Sequence, residues 1–99
     1  MKTPTFDADG YPSDETLEEI RGWSANGSVR DWLDFCCNAW NNHYGAVRYQ
    51  GHELELVTGG WSGNESVLSA MEINPLWVIA WLSSHRGGLH RFTTEHASF

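Results

Sequence analysis

Cysteine is nearly missing from this 99-residue chain: there are two, Cys36 and Cys37, and they are adjacent. Neighbours in a helix point in different directions, so a bridge between them is strained. This excludes a disulfide framework and predicts two thiols in a reducing compartment. Bases are scarce too, with 6 Lys and Arg against 13 Asp and Glu and a formal net charge of −7. Generic nucleic-acid binding requires a cationic footprint and is not expected. No apolar run is long enough to span a bilayer, so no membrane association is expected. The opening Met1-Lys2-Thr3-Pro4-Thr5-Phe6-Asp7 has no apolar segment of the kind a secretory signal needs. His43, His52, His85, His90 and His96 fall in no established ligand spacing, and no cysteine pair supports them. Neither a metal nor another cofactor is expected.

Aromatic residues are abundant: six Trp, three Tyr and four Phe. Each buries a large area, so they read first as core. The length corresponds to one domain, residues 1–99, with a modest core and little room for a deep cleft. Met1 to Tyr11 reads as an extended or irregular lead. Pro12-Ser13-Asp14-Glu15 opens a first helix, with Ser13 as its cap and acids suited to the positive end of the helix dipole. Leu17, Ile20 and Trp23 form its apolar stripe. A second helix starts at Ser28, with Val29, Trp32, Leu33, Phe35, Cys36, Ala39 and Trp40 at helical spacing, and breaks at Asn41-Asn42-His43. Ala46–Tyr49 and Glu53–Val57 then form a hairpin around Gln50-Gly51-His52. Leu54 and Leu56 alternate with Glu53 and Glu55, giving one buried and one wet face. A short helix over Glu65–Met71 points Val67, Leu68 and Met71 inward.

Leu76–Leu82 is ambiguous. Pro75 suits the first turn of a helix, whereas the aromatic and β-branched content suits a buried strand. The following Ser84-His85-Arg86-Gly87-Gly88 turn and the alternation of His90, Phe92 and Thr94 complete a second hairpin, so the segment is assigned as a strand. The expected fold is α+β. One four-stranded antiparallel sheet of two hairpins follows two N-terminal helices, with a third helix between the hairpins. Trp32, Leu54, Leu56, Leu68 and either Trp77 or Trp81 are expected in the core.

The candidate site centres on Thr58-Gly59-Gly60-Trp61-Ser62-Gly63-Asn64-Glu65. Ser62 and Glu65 have the spacing of a capping box, which predicts Ser62 as a helix cap rather than as a nucleophile. Gly60-Trp61-Ser62-Gly63 approaches a nucleophile elbow, but its second glycine is one place early, so a small hydrolase is the weakest reading. Arg86-Gly87-Gly88 offers an arginine fork and exposed backbone N–H groups to an anion. With Trp61, Ser62, Asn64 and Glu65 it makes a candidate site for a small anionic ligand or nucleotide. Asp7-Ala8-Asp9-Gly10 lacks the remaining ligands of a calcium loop and reads as a turn. Asp14, Glu15, Glu18 and Glu19 stand in a base-free acidic stretch that suits a solvated face or the steering of a basic partner.

Phe6 through Leu17, Thr58 through Glu65 and Trp81 through His90 together resemble a family of small uncharacterised bacteriophage and prophage proteins. The most specific piece is Thr-Gly-Gly-Trp-Ser-Gly-Asn-Glu. That family's Arg-Gly-Gly continues with His-Tyr, whereas here Leu89 intervenes before His90. The resemblance implies a phage origin and a bacterial cytoplasm, and implies no reaction. The resulting expectation is a non-enzymatic accessory protein that binds a host protein with a basic surface, of which an anti-CRISPR-like inhibitor of antiviral defence is one form. The sequence indicates no oligomeric state.

Overall fold

The computed structural model describes residues 3–24 and 27–94. Helix α1 spans Asp14–Gly22, with Ser13 Oγ accepting from the Thr16 backbone N–H at 3.2 Å. Helix α2 spans Val29–Ala39, and Ser28 Oγ accepts from Asp31 N–H in the same way. Both caps stand where the Ser-x-x pattern places them. The lead before α1 is not irregular throughout. Asp7 Oδ1 accepts from the N–H groups of Asp9 and Tyr11, and Phe6 bridges Pro12. Thr16 then binds both the N–H and the carbonyl of Thr5, which ties the lead to α1.

Strands β1 (Ala46–Gln50) and β2 (Glu53–Val57) form the expected first hairpin. Helix α3 spans Ser62–Ile73, longer at both ends than the expected Glu65–Met71. The strand assigned to Leu76–Leu82 is corrected. Leu76–Ala80 is helix α4, and strand β3 runs over Trp81–His85. Two features start the helix. Pro75 has helical backbone angles, and Asn74 Oδ1 accepts from Leu76 N–H at 2.8 Å. Local capping thus outweighs the β-like composition. Ser84 and His85, expected in the turn, belong to β3. The turn contracts to Arg86-Gly87-Gly88, and β4 follows over Leu89–Thr93.

The sheet is four-stranded and antiparallel, in the order β1-β2-β4-β3. Central pairing of β2 with β4 sets Leu54 opposite Phe92 and Leu56 opposite His90. Leu54, Leu56 and Phe92 are fully buried beneath the helices with Ile20, Trp32, Leu33, Val67, Met71 and Leu76. On the other face Arg91 binds Glu53 at 2.6 Å and lies 3.8 Å from Glu55, which also meets Arg48 at 3.9 Å. Of the two tryptophans offered as alternatives for the core, Trp77 is half-buried against Phe92, while Trp81 is 41% exposed. Asn74 fastens the helical layer: its Nδ2 donates to the carbonyls of Ile20 and Trp23. No helix among the described residues is long and apolar enough to cross a membrane.

Candidate functional site

Three passages of chain converge at the glycine-rich corner, and each contributes a glycine because the approach is too close for a side chain. A Cβ on Gly59 would strike the Tyr44 carbonyl, one on Gly45 the Val57 carbonyl, and one on Gly88 the Thr58 hydroxyl. Gly59 and Gly88 also have positive φ, at 65° and 81°. Thr58 N–H donates to the Gly88 carbonyl at 3.0 Å, so the Arg86-Gly87-Gly88 turn does lie beside the corner. Arg86 itself is exposed.

Asn64 locks this convergence. It is fully buried, its Oδ1 accepts from Asn41 N–H at 2.8 Å, and its Nδ2 donates to the carbonyls of Asn41 and Thr58. Its polar atoms are therefore committed to backbone rather than turned outward. Glu65 is exposed and lines a shallow groove of about 340 Å³ between α1 and α3 with Leu17, Arg21, Ser66 and Ile73.

The expected capping role of Ser62 is corrected. Trp61 occupies the cap position without a side-chain bond, and Ser62 is the first helical residue. The turn closed by Trp61 N–H on the Thr58 carbonyl delivers the chain into the helix one residue before Ser62 could cap it. Ser62 Oγ donates instead to the Tyr11 hydroxyl at 3.2 Å, which is no general base.

Trp61 is half-buried and lies within an aromatic row. Its ring centroid is 4.8 Å from that of Tyr11 and 4.9 Å from that of Tyr44, and a Cβ on Gly63 would run into the indole. His43 meets Tyr44 edge-on at 5.1 Å. Tyr44 is 53% exposed and Tyr11 36%. Tyr11 and Tyr44 are partners that sequence reading missed, because only the tertiary path brings positions 11, 44 and 61 together. Beyond Tyr11, α1 presents Asp14, Glu15 and Glu18 to solvent. Glu15, Glu18 and Glu19 border a groove of about 570 Å³ with Thr3, Thr5 and Phe35. The arrangement is a set of mutually packed aromatic rings beside an acidic helix.

Two other clusters were not visible in the sequence. The β3–β4 register sets Ser84 opposite His90, with Ser84 Oγ 2.7 Å from His90 Nδ1 and accepting from Trp81 Nε1 at 2.8 Å. Burial lowers the His90 pKa, against the pull of Glu72 and with the push of His85. On α2, burial raises the Cys36 thiol well above its ordinary range and lifts Cys37 to about 12, with Asp34 adding to the latter. Tyr49 donates to Asp34 at 3.2 Å, beneath the Arg30 guanidinium, and burial pushes its hydroxyl pKa upward. Among the described residues no group of three or more His, Cys, Asp and Glu is placed to hold a metal ion, and His96 lies outside them.

Comparison with protein families, with curated proteins and with solved structures finds no match.

Proposed function

We propose that this protein is a non-enzymatic accessory protein that binds a basic-surfaced protein through the Tyr11–Trp61–Tyr44 row and the acidic face of α1. One observation carries the reading: mutually packed, partly exposed tyrosine and tryptophan rings stand next to a helix that presents Asp14, Glu15 and Glu18. Rigid aromatic side chains supply contact area at low entropic cost, which is why they dominate binding hot spots. Acids at the rim attract and orient a basic partner. The resemblance to phage proteins supports a host protein in the bacterial cytoplasm as that partner, and inhibition of an antiviral defence as the outcome.

The test is affinity capture from bacterial lysate with the wild-type chain, Tyr44→Ala, the triple variant Glu15→Gln/Glu18→Gln/Glu19→Gln, and Arg48→Ala on the opposite sheet face. A specific partner should be retained by wild type and Arg48→Ala and lost from the other two. Purified partner should bind Tyr44→Ala about 30-fold more weakly, the effect of a hot spot worth about 2 kcal/mol. A partner held equally by all four chains defeats the proposal.

A second reading, capture of a small anionic ligand or nucleotide, is favoured by the contact of Gly88 with Thr58, which sets the Arg86 turn beside the corner. Trp61 packs against two tyrosines, so Arg86 and the glycine N–H groups would carry that binding. An anion retained in native mass spectrometry of wild type and lost from Arg86→Ala would favour this reading.

A further inference from the structure

The outer edge of β3 and the exposed side of α4 form a surface unlike the rest of the molecule. β3 is last in the sheet order, and among the described residues it pairs only with β4. A strand edge left open presents a row of backbone donors and acceptors to another strand. The other edge strand, β1, carries Arg48, a charge of the kind that discourages edge pairing. β3 carries no Asp, Glu, Lys or Arg, and its irregular register with β4 is confined to its start, between Trp81 and Ser83. From Ile73 through His85 there is no Asp, Glu, Lys or Arg. Within that stretch Val78 is 81% exposed, Leu82 44%, Trp81 41% and Ile79 40%. Four large apolar side chains are thus exposed within five consecutive residues, and concentrated exposed apolar surface marks association sites.

Charge selects the occupant. With a net charge of −7, two copies repel each other wherever acids face acids. The stretch from Ile73 through His85 brings none together, and Glu72, which acts on His90, precedes it. A basic partner would gain no ion pair here, whereas it would on α1. Antiparallel strand pairing also has two-fold symmetry, so a single β3 edge can serve both copies.

We propose that the protein forms a homodimer by antiparallel pairing of β3 with β3 of a second copy, joining two four-stranded sheets into one of eight strands. Val78, Ile79 and Leu82 are covered in that dimer. Full overlap of the two strands sets Ser83 opposite its own counterpart, at the centre of Trp81–His85. The aromatic row and the acidic helix are not part of this interface, so the dimer stands or falls apart from the proposed function.

The experiment is sedimentation equilibrium over the micromolar range on wild type, Val78→Asp, Leu82→Asp and Tyr44→Ala, each with its far-ultraviolet circular dichroism. Val78 is so exposed that its replacement leaves folding intact. Wild type and Tyr44→Ala should reach the dimer mass. Val78→Asp and Leu82→Asp should weaken association on the order of tenfold to a hundredfold, as expected for introducing a charge where apolar area is covered. Opposed positions on antiparallel strands lie within disulfide reach. Ser83→Cys should therefore form a reducible cross-linked dimer in air, while the wild-type chain, with Cys36 buried and Cys37 half-buried, should not. A monomer at every concentration overturns the proposal. So does a dimer that survives both aspartate variants, one lost in Tyr44→Ala, or one that never cross-links when cysteine replaces Leu82, Ser83 or Ser84 in turn.

Discussion

Asn64 and Ser62 sit two positions apart in α3 and do opposite things. Asn64 is fully buried and holds two separate passages of backbone, at Asn41 and Thr58. Ser62 is exposed and donates one bond to another exposed hydroxyl. Leaving buried backbone groups without partners costs about 1–3 kcal/mol each. Asn64→Ala should therefore lower unfolding stability by about 3 kcal/mol or more in urea titration, whereas Ser62→Ala should stay within about 0.5 kcal/mol. Equal effects would show that Asn64 is not the clamp. The thiols of α2 make a second residue-level prediction. Cys37 keeps its proton in the fold to about pH 12, whereas an unfolded thiol releases it near its ordinary 9.0. Above that pH the unfolded chain binds fewer protons, so stability is fully present below pH 9 and falls as pH rises toward 12. Cys36 and Tyr49 shift in the same direction and deepen the loss. Denaturation midpoints should decline across that window, and Cys37→Ala should make the decline shallower.

The helix starts capped by Ser13 and Ser28 were legible in the sequence, whereas the start of α3, set by distant backbone, was not. Ser13 and Ser28 cap as their spacing predicts, because an N-cap involves only residues within one turn. The first hairpin has the expected pairing and alternation. α3 begins early because the glycine turn before it is shaped by contacts with Tyr44, Gly45 and Gly88, none of them neighbours in sequence. The α4–β3 junction went unseen for a different reason: an apolar run of seven residues divides between two elements, and composition alone cannot locate the division. The corner itself can be tested at this scale. Gly59 and Gly60 both have positive φ, but only at Gly59 does a Cβ meet backbone. Gly60→Ala should cost roughly 1–2 kcal/mol, the penalty of a left-handed conformation. Gly59→Ala should cost distinctly more and disturb near-ultraviolet circular dichroism of the Trp61 stack. Indistinguishable melts would contradict the close approach at Tyr44.

For the whole molecule, the uneven placement of charge matters more than its total. Acids gather on α1, ion pairs lace the open face of the sheet, and the stretch from Ile73 to His85 has neither. Association of the proposed basic partner should therefore slow as ionic strength rises through the first tenfold increase, because exposed charges are screened beyond about 10 Å at 0.1 M salt. Neutralising Glu15, Glu18 and Glu19 together should lower the on-rate and flatten that salt dependence. An on-rate indifferent to both salt and the triple variant would reduce α1 to a solvated face. Homodimerisation should respond to salt in the opposite sense, since screening weakens repulsion between the acidic copies and the β3 contact contains no charge pair to lose.

By itself, the sequence determined the α+β class, the two capped helices, the first hairpin, the thiol state of the cysteines and the charge balance. These properties follow from composition and from spacings within one or two turns of chain, where periodicity and capping operate. Tertiary structure alone decided that Trp61 stacks between Tyr11 and Tyr44 and that Asn64 is a clamp. It also decided that Ser84 meets His90 and that β3 is an edge. Each of these depends on strand order, register or the meeting of distant passages. Those are chosen by the packing of the entire core, which no local pattern contains.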